Sequence, residues 1–216
     1  MRIVRPLIAA AALAAALPAL ANPAITTTLT FDEDGVDSAY FVQSVGSFYE
    51  GAGVVFDSAA YALRNDGLGG GVNGEYFTNA PSATGVLAFD GSAATTVINA
   101  AAGKGFVQEI SFYYSASADA LPAVWVYSGA DGTGTRLARL GVFENISDSG
   151  CSDSAYCHWQ KASISFSGTA QSIVFATLDG QIAYDNITIS AVPEPTSLAL
   201  MFAGLAAVGL LARRRG

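Results

Sequence analysis

The central part of this sequence predicts an all-β domain, which we assign to the jelly-roll class of β-sandwiches. Short runs of β-branched and aromatic residues recur along the chain and are separated by Gly, Asn, Asp and Pro. Between the two ends of the chain no apolar pattern with a 3.6-residue period occurs, which argues against an α/β fold. At 216 residues, with signals at both ends, the chain leaves room for one domain with one sizeable core.

The predicted strands follow from these runs. In chain order they are Thr26–Phe31, Val54–Phe56, Gly85–Phe89, Thr95–Ile98, Phe106–Ser115, Ala123–Tyr127, Arg136–Val142, Ala162–Phe166, Ser172–Leu178 and Ile182–Ser190. Trp125, between two valines, is predicted to fill the core. In the last strand, strict alternation puts Tyr184 opposite Ile187 and puts Asp185 on the apolar side, so Asp185 points inward or lies at a bulge. A carboxylate there needs a partner, and a bound cation is one candidate.

The charge of the central part limits its partners. From Asn22 to Val192 the chain contains 17 of its 18 carboxylates but only five of its ten Lys and Arg residues, a net charge of −12. Nucleic-acid affinity comes mainly from Lys and Arg that displace counterions, so we predict no nucleic-acid partner. Such a surface suits an extracellular protein.

The N-terminus predicts a secretory signal peptide over residues 1–21. Two arginines precede the apolar run Leu7–Leu20, and Ala19 and Ala21 supply the small residues that signal peptidase needs. We predict cleavage between Ala21 and Asn22. An uncleaved membrane anchor is the alternative, but the run is short for a span.

The C-terminus predicts a motif, an apolar helix and a basic stop, in that order. These parts are Val192, Pro193, Glu194 and Pro195, a transmembrane helix over about 197–212, and Arg213, Arg214 and Arg215. The apolar run Leu198–Ala212 covers roughly 22 Å as a helix, less than the hydrocarbon core of about 30 Å, so on length alone a core helix stays open. The arginines favour a cytoplasmic C-terminus.

These three parts at the extreme C-terminus resemble the PEP-CTERM sorting tail of Gram-negative bacteria that make exopolysaccharide. The resemblance implies that an exosortase-type enzyme cuts near the motif, after the precursor has been held transiently in the inner membrane. It also implies release to the cell surface or extracellular matrix. We expect the two prolines to keep the recognition segment extended and outside any helix or sheet. The predicted domains are therefore a signal peptide (1–21), a β-sandwich (22–191) and a sorting tail (192–216) with its motif at 193–195.

The first and last strands carry a second resemblance. Thr30-Phe31-Asp32 and Tyr184-Asp185-Asn186-Ile187 are similar to the terminal strands of galactose-binding-like carbohydrate-binding modules. In many of those modules, acidic residues from both strands share a structural Ca²⁺. The resemblance implies a calcium site formed by Asp32, Asp34 and Asp185. The alternative is a solvated turn and an aspartate hydrogen-bonded to backbone.

The two cysteines, Cys151 and Cys157, predict a disulfide. They are an even number in a polar loop of an exported chain. Zinc bound together with His158 is the alternative, but it lacks a fourth ligand and requires reduced thiols outside the cytoplasm.

No catalytic residues are predicted. His158 is the sole histidine, and no Gly-x-Ser-x-Gly elbow is present to position a nucleophile. Paired carboxylates for glycoside cleavage stay open among the 17 acids. Tyr76, Tyr127 and Trp159 are candidates for stacking on sugar rings, with core packing as the alternative.

The leading functional hypothesis is an exported, non-enzymatic surface or matrix protein associated with exopolysaccharide or a biofilm. It is motivated by the C-terminal resemblance and by an acidic, aromatic domain without catalytic residues. A secreted polysaccharide hydrolase or lyase is the first alternative, and an adhesin that binds a protein partner is the second.

Overall fold

A computed structural model gives the architecture of the chain. The structure describes residues 23–33, 43–64, 77–82, 85–89, 93–146, 156–178, 181–193 and 204. The chain divides into one unit of Asn22–Glu194 and a second unit of Met1–Ala21 with Pro195–Gly216. The fold described below belongs to the first unit. Among the described residues, no helix is long and apolar enough to cross a bilayer, and the predicted signal peptide and transmembrane helix lie outside them, apart from Gly204.

Two antiparallel sheets form the domain. Their strands are β1 (Ile25–Leu29), β2 (Gln43–Ser44), β3 (Val54–Phe56), β4 (Ala60–Arg64), β5 (Gly85–Phe89), β6 (Thr95–Ala100), β7 (Lys104–Ala116), β8 (Ala120–Tyr127), β9 (Arg136–Val142), β10 (Gln160–Ser165), β11 (Ser172–Ala176) and β12 (Ile182–Pro193). One sheet has seven strands in the order β10-β7-β12-β5-β4-β2, with β1 also paired to β12. The other has five, in the order β3-β6-β11-β8-β9. The predicted all-β fold is confirmed.

Each predicted strand overlaps an observed one, and two further strands, β2 and β4, were not predicted. The sequence of β4, Ala60-Tyr61-Ala62-Leu63-Arg64, contains few β-branched residues and gives a weak strand signal. It is a strand because it pairs with β5 along its whole length. The helical content of the described residues includes the short 3₁₀ turn Glu50–Ala52.

The main core joins the two sheets through a cluster of rings. Tyr184 of β12 is fully buried and lies edge-on to Phe175 of β11, with ring centroids 4.9 Å apart. Phe112 of β7 contacts both rings, at 5.4 Å from Tyr184 and 5.6 Å from Phe175. Edge-to-face pairs of this kind contribute about 0.5–1.5 kcal/mol beyond the burial of their area. These strands from both sheets are therefore held by one aromatic cluster.

A bulge in β12 overturns the predicted facing of its residues. The register of β12 against β7 shifts between Asp185 and Thr188, and Asn186 adopts a left-handed conformation with φ 49°. One extra residue reverses the alternation beyond it. Tyr184 and Ile187 consequently both belong to the main core, contrary to the prediction that they lie on opposite faces. Asp185 is fully buried at this bulge, as the second of the two predicted positions required.

Candidate functional site

The outer face of the seven-stranded sheet is covered by a small second cluster. Its buried members are Phe77, Val86 and Ala183, with Leu63, Ala80, Tyr156 and Trp159 packed against them. Ala183 precedes Asp185 by two residues on β12, so Asp185 also faces this side of the sheet. The aspartate is buried because the segment 77–82 lies over it, and not because it enters the main core.

Trp159 is part of this cover. Its ring lies edge-on to Phe77 at a centroid distance of 6.3 Å, and its indole N–H donates a hydrogen bond of 2.9 Å to the carbonyl of Thr78. Both contacts fix the ring against the protein. Its predicted role in stacking on a sugar stays a prediction.

Three donors surround the carboxylate of Asp185. The Ser82 hydroxyl donates to Oδ1 at 2.8 Å, the Ser82 backbone N–H donates to Oδ2 at 2.8 Å, and the Asn186 N–H donates to Oδ1 at 2.6 Å. Burial raises the pKa of Asp185 to about 6, and the negative charge of Asp32 raises it further, whereas the bonds from Ser82 and Asn186 lower it. The desolvation of the charge outweighs its hydrogen bonds.

Asp32 belongs to the same junction of strands. Its Oδ1 accepts a hydrogen bond of 2.6 Å from the N–H of Gly85 at the start of β5. A side chain at residue 85 would meet the carbonyl oxygen of Phe31 at 1.8 Å, so only glycine permits this approach. The two aspartates therefore fasten the ends of β1, β5 and β12 together. Asp34 lies outside the described residues, and within the described ranges no group of three or more acidic, His or Cys side chains could hold a metal ion. The calcium site stays a prediction.

The outer face of the five-stranded sheet has a different character. Val124 and Val126 of β8 are fully buried in the main core, whereas Trp125 and Tyr127 between and after them are only partly buried. Alternation along a strand therefore places both rings on the outer face. The prediction that Trp125 fills the core is wrong, since the two valines take the core-facing positions. Tyr127, a predicted stacking residue, lies beside it on this face.

Two arginines of β9 flank the two rings. Arg139 lies directly opposite Trp125 in the β8–β9 ladder, and Arg136 lies opposite Tyr127. Directly opposed side chains share a face, with Cβ atoms about 4.5–5.5 Å apart. Both arginines are exposed. In the described part of the chain, neither guanidinium forms an ion pair.

A loop borders this face on its other side. Gly132 lies over Val174 of β11, the residue opposite Trp125, at such close range that a Cβ would come within 3.0 Å of it. The loop is held there because the Gly132 N–H donates to the Ser172 hydroxyl at 2.9 Å and the Asp131 N–H donates to the Asn99 side chain at 2.8 Å. Trp125 thus lies between this loop and Arg139.

Comparison with known families decides the character of the C-terminus. Residues 191–215 match the family described as the PEP-CTERM protein-sorting motif. The chain carries a PEP-CTERM sorting motif. The resemblance stated from the sequence is confirmed, and the motif indicates an exported, sorted protein. No curated protein matches the sequence.

Solved structures with a similar outline include an adhesin domain and carbohydrate-binding modules. The K2 cleaved adhesin domain of Lys-gingipain has 12% identity and a TM-score of 0.46, over 76% of this chain and 97% of that chain. A family 29 carbohydrate-binding module in complex with cellohexaose, printed as cellulohexaose, has 10% identity and a TM-score of 0.37, over 78% and 92%. A family 29 module from Piromyces equi has 11% identity and a TM-score of 0.37, over 77% and 90%. At these scores the similarities carry no argument about the activity of this chain.

The PEP-CTERM motif begins inside the folded domain. Val192 pairs with Gly105 and Pro193 pairs with Lys104 at the end of the β12–β7 ladder. Pro193 therefore ends a strand of the sheet, contrary to the expectation that it would stay outside one. Proline has no N–H to donate but is tolerated at the end of a strand, where its carbonyl can still accept.

The remaining predicted site residues lie outside the described part of the chain. They are Ala19, Ala21, Asn22, Tyr76, Cys151, Glu194, Pro195, Arg213, Arg214 and Arg215. Cys157 is described and buried. The disulfide with Cys151, the signal cleavage site and the basic stop stay predictions.

Proposed function

We propose that this protein is an exported, non-enzymatic component of the cell surface or extracellular matrix that associates with extracellular polysaccharide. The observation that carries the proposal is the PEP-CTERM motif joined directly to the last strand of the β-domain. In this proposal signal peptidase cleaves after Ala21, the helix over about 197–212 holds the precursor in the inner membrane, and an exosortase-type enzyme removes the tail.

The polysaccharide partner is supported by the outer face of the five-stranded sheet. Trp125 and Tyr127 follow each other on that face at a spacing of about 7 Å, because alternate residues of a strand are two rises apart. Partly exposed rings of this kind suit the C–H faces of sugars. The flanking arginines add hydrogen-bond donors beside the rings.

A non-enzymatic role is supported by the way the described acidic residues are used. Asp185 is surrounded by protein donors, and Asp32 accepts from the backbone of Gly85. Glu33 accepts a hydrogen bond of 2.5 Å from the Tyr49 hydroxyl, which in turn accepts one of 3.0 Å from the Phe31 N–H. These carboxylates fasten the fold. We also assign the domain to the galactose-binding-like jelly rolls, supported by the antiparallel pairing of the first strand with the last.

Two measurements test this function. Mass spectrometry of the protein recovered from the surface and medium of producing cells is expected to find Asn22 at the N-terminus and no Arg213–Arg215 end. A Glu194→Ala variant is the matched control and is expected to accumulate uncut in the membrane fraction. An intact C-terminus on wild-type protein in the medium would contradict the sorting step.

The polysaccharide step has its own assay. The full-length chain, purified in mild detergent, is passed over a panel of immobilised neutral and acidic extracellular polysaccharides, and retention by at least one is expected. Indifference to every polymer would remove this part of the proposal. Release of reducing ends or unsaturated products would show the hydrolase or lyase instead, and saturable binding to cells stripped of polysaccharide would show the protein-binding adhesin.

A further inference from the structure

We infer that the outer face of the five-stranded sheet binds a carboxylate-bearing, acidic polysaccharide through Trp125, Tyr127, Arg136 and Arg139. This inference rests on the proposed function and names the class of polymer and the surface that recognises it. The rings lie on one strand, and each has an arginine opposite it on the next strand.

The placement of positive charge is the first argument. Between Asn22 and Val192 the chain has five Lys and Arg residues and a net charge of −12. Two of those five lie three residues apart on β9, both exposed and both on the face of the two rings. A neutral polymer could be held by rings and uncharged donors alone. Guanidinium groups beside rings add a fork of donors that matches a carboxylate in bidentate geometry.

The availability of the four side chains is the second argument. Within the described ranges, Arg136 and Arg139 have no ion-pair partner and the Tyr127 hydroxyl has no hydrogen bond. Lys161 differs, since its ammonium group lies 5.9 Å from the centre of the Tyr113 ring on β7. The loop that carries Gly132 borders the face without reaching β9, so a chain laid along β8 would contact the rings and the arginines together.

The overall charge selects among polyanions. Nucleic acid carries one charge per about 1.7 Å of duplex, which would bring many phosphates against a body of net charge −12 that offers only two arginines here. A polysaccharide with carboxylates on some of its sugars places them at the arginines and leaves uncharged ring faces for Trp125 and Tyr127. At physiological salt the repulsion from distant carboxylates is screened beyond about 8 Å, whereas close contacts are screened less.

The test compares polymers that differ only in their charge. The full-length chain in detergent is titrated at physiological ionic strength with polygalacturonate, with its methyl ester, with alginate and with single-stranded DNA. We expect at least one of the two carboxylated polymers to bind, with methyl esterification weakening polygalacturonate by roughly tenfold if that is the one bound, and with DNA binding weakest of all. A double variant, Arg136→Gln with Arg139→Gln, is expected to lose the preference for acidic polymer.

Two further variants separate the charges from the rings. Trp125→Ala is expected to weaken acidic and esterified polymer alike, by roughly tenfold. Lys161→Gln, which removes an exposed charge from the other sheet, is the matched control and is expected to bind like wild type. The exposed arginines can be changed without opening the core, and an unchanged thermal unfolding midpoint checks this.

Several outcomes would overturn the inference. These are equal affinity for acid and ester, an acidic preference that survives the double arginine variant, binding of DNA as tight as that of any polysaccharide, or failure to bind either carboxylated polymer. If other polymers of the panel are still retained, the proposed function stands and only this assignment fails. If no polysaccharide binds at all, both fail.

Discussion

The buried carboxyl group of Asp185 makes the stability of the domain depend on pH. Burial raises its pKa from 3.8 to about 6. Between these two values the folded chain keeps a proton that the unfolded chain has released, so the free energy of unfolding falls as the pH rises through this window. About two pKa units at about 1.4 kcal/mol each correspond to a loss of about 3 kcal/mol, complete above the folded pKa.

Chemical unfolding of wild type and Asp185→Asn from pH 4 to pH 7 measures this term. The other carboxylates titrate in both proteins, so the difference between the two curves isolates Asp185. The stability of wild type relative to the variant is expected to fall by about 3 kcal/mol across the window. Glu109→Gln, which removes an exposed carboxylate of β7, is the control and should give a curve parallel to that of wild type. Parallel curves for wild type and Asp185→Asn, or a relative gain for wild type with rising pH, would refute the reasoning.

Four further predictions concern the same junction and the cysteines. Calcium bound at Asp185 would lower its pKa, so added Ca²⁺ is expected to raise the melting temperature of wild type but not of Asp185→Asn; no response in a calorimetric scan would count against the site. Ser82→Ala is expected to lower the free energy of unfolding by about 1.5–3 kcal/mol, because it removes a hydrogen bond to a buried carboxylate. Gly85→Ala is expected to cost at least about 3 kcal/mol because its Cβ would clash with backbone, whereas Gly51→Ala, which meets nothing within 4 Å, should be neutral in the same denaturant titration. The two cysteines should resist alkylation in denaturant until a reductant is added, and labelling of the unreduced chain, seen by intact mass, would contradict the disulfide.

The strands of the two sheets could be predicted from the sequence wherever β-branched and aromatic residues are concentrated. β4 could not, because its own residues carry a weak β signal and its partner β5 supplies the pairing. The same limit applies to the two-residue strand β2, which pairs with β4 and is too short to show any period.

The facing of individual residues was harder to predict than the strands themselves. A single left-handed residue, Asn186, reverses the alternation within β12, and asparagine is among the residues that adopt this conformation most readily. For Trp125 the signal was present in the sequence, because alternation requires it to face away from both neighbouring valines. A preference for burying large aromatic rings led to the wrong side.

The candidate site depends on contacts between residues far apart in the chain. Ser82 meets Asp185 across 103 positions, and no local pattern around either residue indicates the other. Asp32 and Asp185 were placed together by resemblance alone, and the structure brings both to the junction through β1, β5 and β12. Arg136 and Arg139 fall opposite the two rings only through the register of β8 against β9, and their strand by itself shows nothing more than two exposed charges.

The register of the first and last strands limits where the sorting tail can be removed. Ile25 of β1 pairs with Ala191 of β12, and on its other side β12 continues its pairing with β7 as far as Pro193. The first strand therefore begins four residues after the predicted signal cleavage site, while the last strand ends on the first proline of the motif. A cut before Ala191 would remove backbone partners from both β1 and β7 in the middle of the seven-stranded sheet. Export processing that leaves the domain intact must act on the C-terminal side of Pro193, on the residues that take no part in either ladder.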